Sequence, residues 1–101
     1  MKNSLSPIDF KSVYKNSESG ITHDINYYYI YDQNPRLGFI VSKKYGNSVE
    51  RNLFKRRCRY AFYELIKKEF SYSIIIKPKA KNIKWDTIKK SFQNIYENLT
   101  K

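Results

Sequence analysis

The chain has 101 residues, 41% of them hydrophobic and 17% aromatic, and its 20 Lys and Arg face 9 Asp and Glu to give a formal charge of +11. That balance excludes a disordered chain and predicts a single domain over residues 1–101 with one modest core and a polyanionic partner. A lone cysteine, Cys58, excludes an internal disulfide, no apolar run is long enough for a membrane span, and Met1–Ser6 lacks the apolar stretch of a leader peptide, so the chain reads as cytoplasmic.

A helix is predicted first: Ser6 caps it, Pro7 fits its first turn, and Phe10, Val13 and Tyr14 share a face. The polar stretch Asn16–Gly20 ends it. Ile21–Asp32 is expected as one extended segment, with Tyr27, Tyr29 and Tyr31 on one face and Tyr28 and Ile30 on the other. After a turn at Asp32–Pro35, Leu37–Ser42 is the next strand and is expected to form a hairpin with the first. Lys43–Gly46 is a basic loop. Asn47 caps a helix to about Glu69, with Glu50 completing a capping box and Phe54, Cys58, Ala61, Phe62 and Leu65 on its apolar side. Ser73–Ile76 reads as a short buried strand ended by Pro78, and Asp86 opens a last helix striped by Ile88, Phe92, Ile95 and Leu99. Helix, strands, helix, strand, helix is an α+β order around a small mixed sheet.

No hydrolytic constellation is visible, so no catalytic residue is expected on the protein. His23, the only histidine, is read as a polar surface residue and Cys58 as a small core residue. The acidic residues lack metal-ligand spacing. The informative segment is Lys43–Arg59, with seven basic residues against one acidic. Arg51, Lys55 and Arg59 recur at i, i+4, i+8, and Asn52 and Arg56 widen the strip, opposite the apolar side of the same helix. Guanidinium groups bind phosphates bidentately and keep their charge. A second surface is expected where Phe10 and Tyr14 face Tyr29, because aromatic rings stack unpaired bases.

The run from Arg36 to Leu65, RLGFIVSKKYGNSVERNLFKRRCRYAFYEL, closely resembles the bacterial ribonuclease P protein. The family hallmark is matched by Ser42-Lys43-Lys44, Gly46-Asn47, and then Arg51, Asn52, Lys55, Arg56 and Arg59. Asp9–Tyr14 and Ser73–Lys77 are similar to its first helix and last strand. The resemblance implies an αβββαβα two-layer sandwich with a four-stranded mixed sheet and a left-handed βαβ crossover, a rare hand. It implies that Arg51, Asn52, Lys55, Arg56 and Arg59 bind a catalytic RNA subunit, one protein per RNA. Phe10, Val13, Tyr14, Tyr29, Lys43 and Lys44 would hold the single-stranded 5′ leader of precursor tRNA. The implied hydrolysis is performed by the RNA with Mg²⁺; whether the protein binds metal is left open. One departure is Leu53, where the family usually has Arg or Lys; Arg57 is expected elsewhere on the helix. The alternatives are a general RNA-binding module, such as a ribosomal protein or RNA chaperone, and a protein-only nuclease, for which the clustered carboxylates are missing.

Overall fold

The computed structural model describes residues 3–101; Met1 and Lys2, and with them the first part of the leader-peptide reading, lie outside the described residues. In chain order the elements are α1 (Pro7–Asn16), β1 (Glu18–Thr22), β2 (Ile25–Tyr31), β3 (Leu37–Phe39), a 3₁₀ turn (Lys43–Tyr45), α2 (Ser48–Ile66), β4 (Tyr72–Pro78) and α3 (Trp85–Leu99). This is the predicted αβββαβα order. The Ser6 hydroxyl accepts the Asp9 N–H at 3.2 Å and Pro7 opens α1, as the capping argument requires.

Two strand expectations are corrected. Ile21–Asp32 is not one extended segment: β1 and β2 form a tight hairpin that reverses at His23-Asp24, with His23 in the left-handed region (φ 50°). No glycine marks this turn, so the polar residues Glu18–Gly20 do not announce themselves as strand. Nor does the strand ending at Tyr31 pair with the one beginning at Leu37. The order is β1-β2-β4-β3, with β4 antiparallel to β2 and parallel to β3. Ile74, Ile75 and Ile76 have no exposed surface, and a strand apolar on both faces belongs inside a sheet. Each such burial is worth about 1.5–3 kcal/mol, which outweighs the convenience of a local hairpin.

The segment before α1 closes one edge. Leu5 N–H donates to Leu37 O at 3.0 Å and Leu37 N–H donates to Asn3 O at 2.6 Å, so Ser4 runs parallel to the outer side of β3.

The two faces of the sheet are unequal. Ile25, Tyr27, Leu37, Ile74 and Ile76 join Phe54, Cys58, Phe62, Phe92 and Ile95 in one core beneath α2 and α3. The opposite face carries only the ten-residue α1. Gly38 permits that docking: a Cβ there would lie 2.9 Å from Leu5 Cδ1 and 3.0 Å from Phe10 Cδ2. A polar network ties α1 down. Arg36 pairs with Asp9 and, at 3.4 Å, with Asp32. Asp32 also accepts from the Ser73 hydroxyl (2.7 Å) and the Asn34 N–H (2.9 Å).

The Ser6 hydroxyl, and then Arg36, hold the Asp9 carboxyl below its ordinary value of 3.8. Burial raises that of Asp32, but the Asn34 N–H, the Ser73 hydroxyl and Arg36 together outweigh it and leave Asp32 lowered as well. Carboxyls more acidic in the folded state contribute stability that is present above the unfolded value and lost as pH falls through the folded ones. The melting temperature is therefore expected to drop below about pH 4, and Asp32→Asn to flatten that acid limb. Circular-dichroism melts across the acid range check this; an unchanged slope in Asp32→Asn counts against the network.

Candidate nucleic-acid interface

The start of α2 is fixed by local chemistry. The Asn47 side chain accepts the Glu50 N–H and the Glu50 carboxylate accepts the Asn47 N–H, both at 2.8 Å, completing the predicted capping box. Just before it, the buried ring of Tyr45 packs 5.0 Å from Phe54 and its hydroxyl accepts the Ile83 N–H at 3.2 Å. This anchor leaves Lys43 and Lys44 exposed on the 3₁₀ turn. With Phe54, Cys58 and Phe62 in the core, Arg51, Lys55 and Arg59 stack along the flank of α2 nearest β3, where the Arg59 guanidinium lies 5.5 Å over the Phe39 ring. Asn52 and Arg56 are exposed on the crest beside them. These five residues lie on one side of α2, as their spacing predicts.

None of the α2 arginines or Lys55 pairs with a carboxylate among the described residues. Arg51 donates instead to Gly46 O and the Ser48 hydroxyl, both at 3.3 Å and both neutral. It also sits near the positive end of the helix dipole, where a cation is disfavoured. Like charges at i, i+4 cost a few tenths of a kcal/mol per pair. The strip is therefore not arranged for the stability of the free protein.

The second surface differs from its prediction in two residues. Val13 is the buried residue of α1, so it anchors the helix and is closed to a ligand. Tyr29 points to the core face, between Tyr27 (5.7 Å) and Tyr72 (6.1 Å). The ring that completes the α1 side is Tyr28, edge-on to Tyr14 at 4.9 Å; Tyr14 in turn stacks on Phe10 at 6.2 Å. A strand reverses its face with every residue, and the alternation alone did not say which face α1 covers. Register carries this surface onward, because Tyr28 lies opposite Ile75 and Asn26 opposite Lys77 on the same face. Lys77 then joins Lys44, Lys79 and Lys81 around an open groove of about 280 Å³, lined also by Ile40 and Ser42. Tyr28, Lys77, Lys79 and Lys81 were missed. The lysines had a signal in their alternation through 77, 79 and 81, although β4 itself ends at Pro78.

Leu53 is half-buried against the loop before α3, and Arg57 lines the same recess one turn later. Arg57 thus shares the flank of Leu53, contrary to the expectation that it lies elsewhere.

The family model for ribonuclease P matches residues 4–100. The ribonuclease P protein component of Bacillus pumilus is 34% identical over 94 residues, covering 87% of this chain and 79% of the relative. The solved Staphylococcus aureus RNase P protein superposes with a TM-score of 0.76 at 28% identity, covering 98% of this chain and 95% of that one. The Thermotoga maritima RNase P protein, at 21% identity, shares the fold with a TM-score of 0.77 over 94% of this chain and 96% of its own.

The chain's few reactive groups stand apart from both surfaces. His23 is exposed at the hairpin turn, its Nδ1 3.1 Å from the Thr22 hydroxyl. Among the described residues no three His, Cys, Asp or Glu cluster as metal ligands, and no helix is long and apolar enough to cross a membrane. Cys58 has no exposed surface, and burial pushes its thiol pKa far up. It is expected to resist a maleimide or disulfide reagent at pH 8 in the folded protein and to react fully in denaturant. Rapid modification under native conditions would contradict its place in the core.

Proposed function

The chain belongs to the ribonuclease P protein family, and on that footing we propose that it is the RNA-binding partner of a catalytic RNA that removes the 5′ leader from precursor tRNA. The observation that carries this reading is the α2 strip: Arg51, Lys55, Arg56 and Arg59, with Asn52 among them, offer cations that no carboxylate of the described chain neutralises. The RNA subunit's phosphates relieve that repulsion, and the Asn52 amide takes a base edge or a 2′-hydroxyl.

The leader of the precursor takes the other face. Its unpaired bases stack on Phe10, Tyr14 and Tyr28, and its phosphates follow Lys77 toward Lys43 and Lys44. The two surfaces meet at the 3₁₀ turn, whose exposed lysines are fixed by the buried Tyr45 between them and α2. One small body thus holds substrate and catalyst in a set relation, which is a positioning role. No protein side chain cleaves. Mg²⁺ supplies the activated water and charge neutralisation when bound to the RNA. The protein lacks a clustered donor set for it among the described residues, so no step is routed through a protein-bound ion. The lysines and arginines here lower the Mg²⁺ demand by neutralising phosphates themselves. One protein serves one RNA, in the cytoplasm.

The test is cleavage of a precursor tRNA at low Mg²⁺ by the protein alone, by a bacterial ribonuclease P RNA alone, and by both. Activity that requires both is expected. Arg56→Ala should weaken RNA binding and reduce its salt slope by about one. Tyr28→Ala should weaken precursor tRNA binding while leaving mature tRNA unaffected, a split that Tyr29→Ala should not reproduce. Tight RNA binding without stimulated cleavage would return the protein to the class of general RNA-binding modules.

A further inference from the structure

The flank of α2 turned away from β3 carries a second combination of rings and cations, which shares only Arg56 with the strip above. Arg56, Arg57, Tyr60 and Trp85 surround an open recess of about 310 Å³ where α2 meets the start of α3. Tyr60 is 59% exposed and meets Trp85 edge to face, with centroids 5.7 Å apart at 68°. An edge-to-face pair does not use up the stacking faces of both rings. Lys89 sits 5.5 Å over the indole, and its ammonium is paired with Asp86 at 3.5 Å.

The recess does not end there. Arg57 also lines its neighbour toward Asn82 and Lys84, and Tyr60 and Trp85 also line the next one between α2 and α3. A groove therefore follows this flank, with Arg57 and the two rings at its middle. The nearby carboxylates are engaged: Glu50 in the capping box, Glu64 with Lys67 at 3.3 Å, and Asp86 with Lys89. Arg56 and Arg57 have no carboxylate partner among the described residues. An exposed ring beside unpaired guanidinium groups suits a flat group bearing negative charge. An apolar protein surface would strand the two cations.

We propose that this groove is a second RNA contact, in which an unpaired nucleotide stacks its base on Tyr60 beside Trp85 and places its phosphate on Arg57. The inference rests on the RNA-binding reading above. Arg56, on the crest, belongs to the strip and also borders the groove, so RNA gripped by Arg51, Lys55 and Arg59 crosses α2 at Arg56 to reach Tyr60. Leu53 is packed against the loop before α3 and contributes no charge here, which leaves Arg57 as the cation of this flank of α2.

Trp85 is the only tryptophan, so its emission reports this groove alone. The experiment titrates the full chain with a transcript of a bacterial ribonuclease P RNA, following Trp85 emission in parallel with the anisotropy of a dye on the RNA. Saturable quenching of Trp85 with the same midpoint as the anisotropy change is expected. Tyr60→Ala should weaken binding at least about fivefold, Tyr60→Phe should restore it, and Arg57→Gln should lower the salt slope by about one. Thermal melts of the variants, expected to match the parent because Tyr60 is exposed, separate lost contact from lost fold. If the RNA binds tightly while Trp85 emission stays constant and Tyr60→Ala binds like the parent, the groove is not an RNA site and the strip alone stands. If the parent does not bind the RNA at all, the RNA-binding reading falls with it.

Discussion

Three consecutive isoleucines with no exposed surface, Ile74–Ile76, set the plan of this molecule. A strand buried on both faces must lie inside its sheet. With β4 between β2 and β3, the chain between β3 and β4 has to travel from an edge of the sheet back to its interior, and α2 is that connection. Two helices then cover one face and a single ten-residue helix covers the other. The half-bare face beside α1 and the outward side of α2 both follow from this one placement.

The charges are divided with the same economy. The folded body is held by its apolar core, by the cap on α2 and by the Arg36 network at the foot of α1. The cations of α2 take part in none of these ion pairs, and Arg51 stands where the helix dipole opposes it. Folding tolerates them because each penalty is a few tenths of a kcal/mol, small beside a single buried isoleucine. A polyanion collects the favourable side of those interactions.

Local signals were legible in the sequence. Ser6-Pro7, the Asn47–Glu50 box and the apolar stripes of α2 and α3 act within one or two helical turns, and all recur in the structure. So does the single-sided arrangement of Arg51, Asn52, Lys55, Arg56 and Arg59, because helical spacing settles it. What did not follow depends on distant partners. The separation of β2 from β3 is decided by a strand more than thirty residues further along, and the His23-Asp24 turn lacks the glycine that usually marks one. Tyr28 and Tyr29 were distinguished as opposite faces, but only the docking of α1 on Gly38 says which face it covers. Trp85 and Tyr60 lie on different helices, and nothing in either segment alone announces their contact.

The position of β4 also bears on how the chain is made. The strand pairs with both β2 and β3, yet it is synthesised after both of them and after α2. The residues before α1 lie along β3, whose inner neighbour is β4. While the protein is still emerging from the ribosome, the β1–β2 hairpin and α2 have their local contacts, but β3 has no inner partner. The face that α1 covers in the finished protein therefore takes shape only once β4 has left the ribosome, when the chain is all but complete. The helix of α2 depends on its own cap and turns, whereas the sheet face beside α1 waits for β4, so the two basic surfaces of the molecule mature at different times.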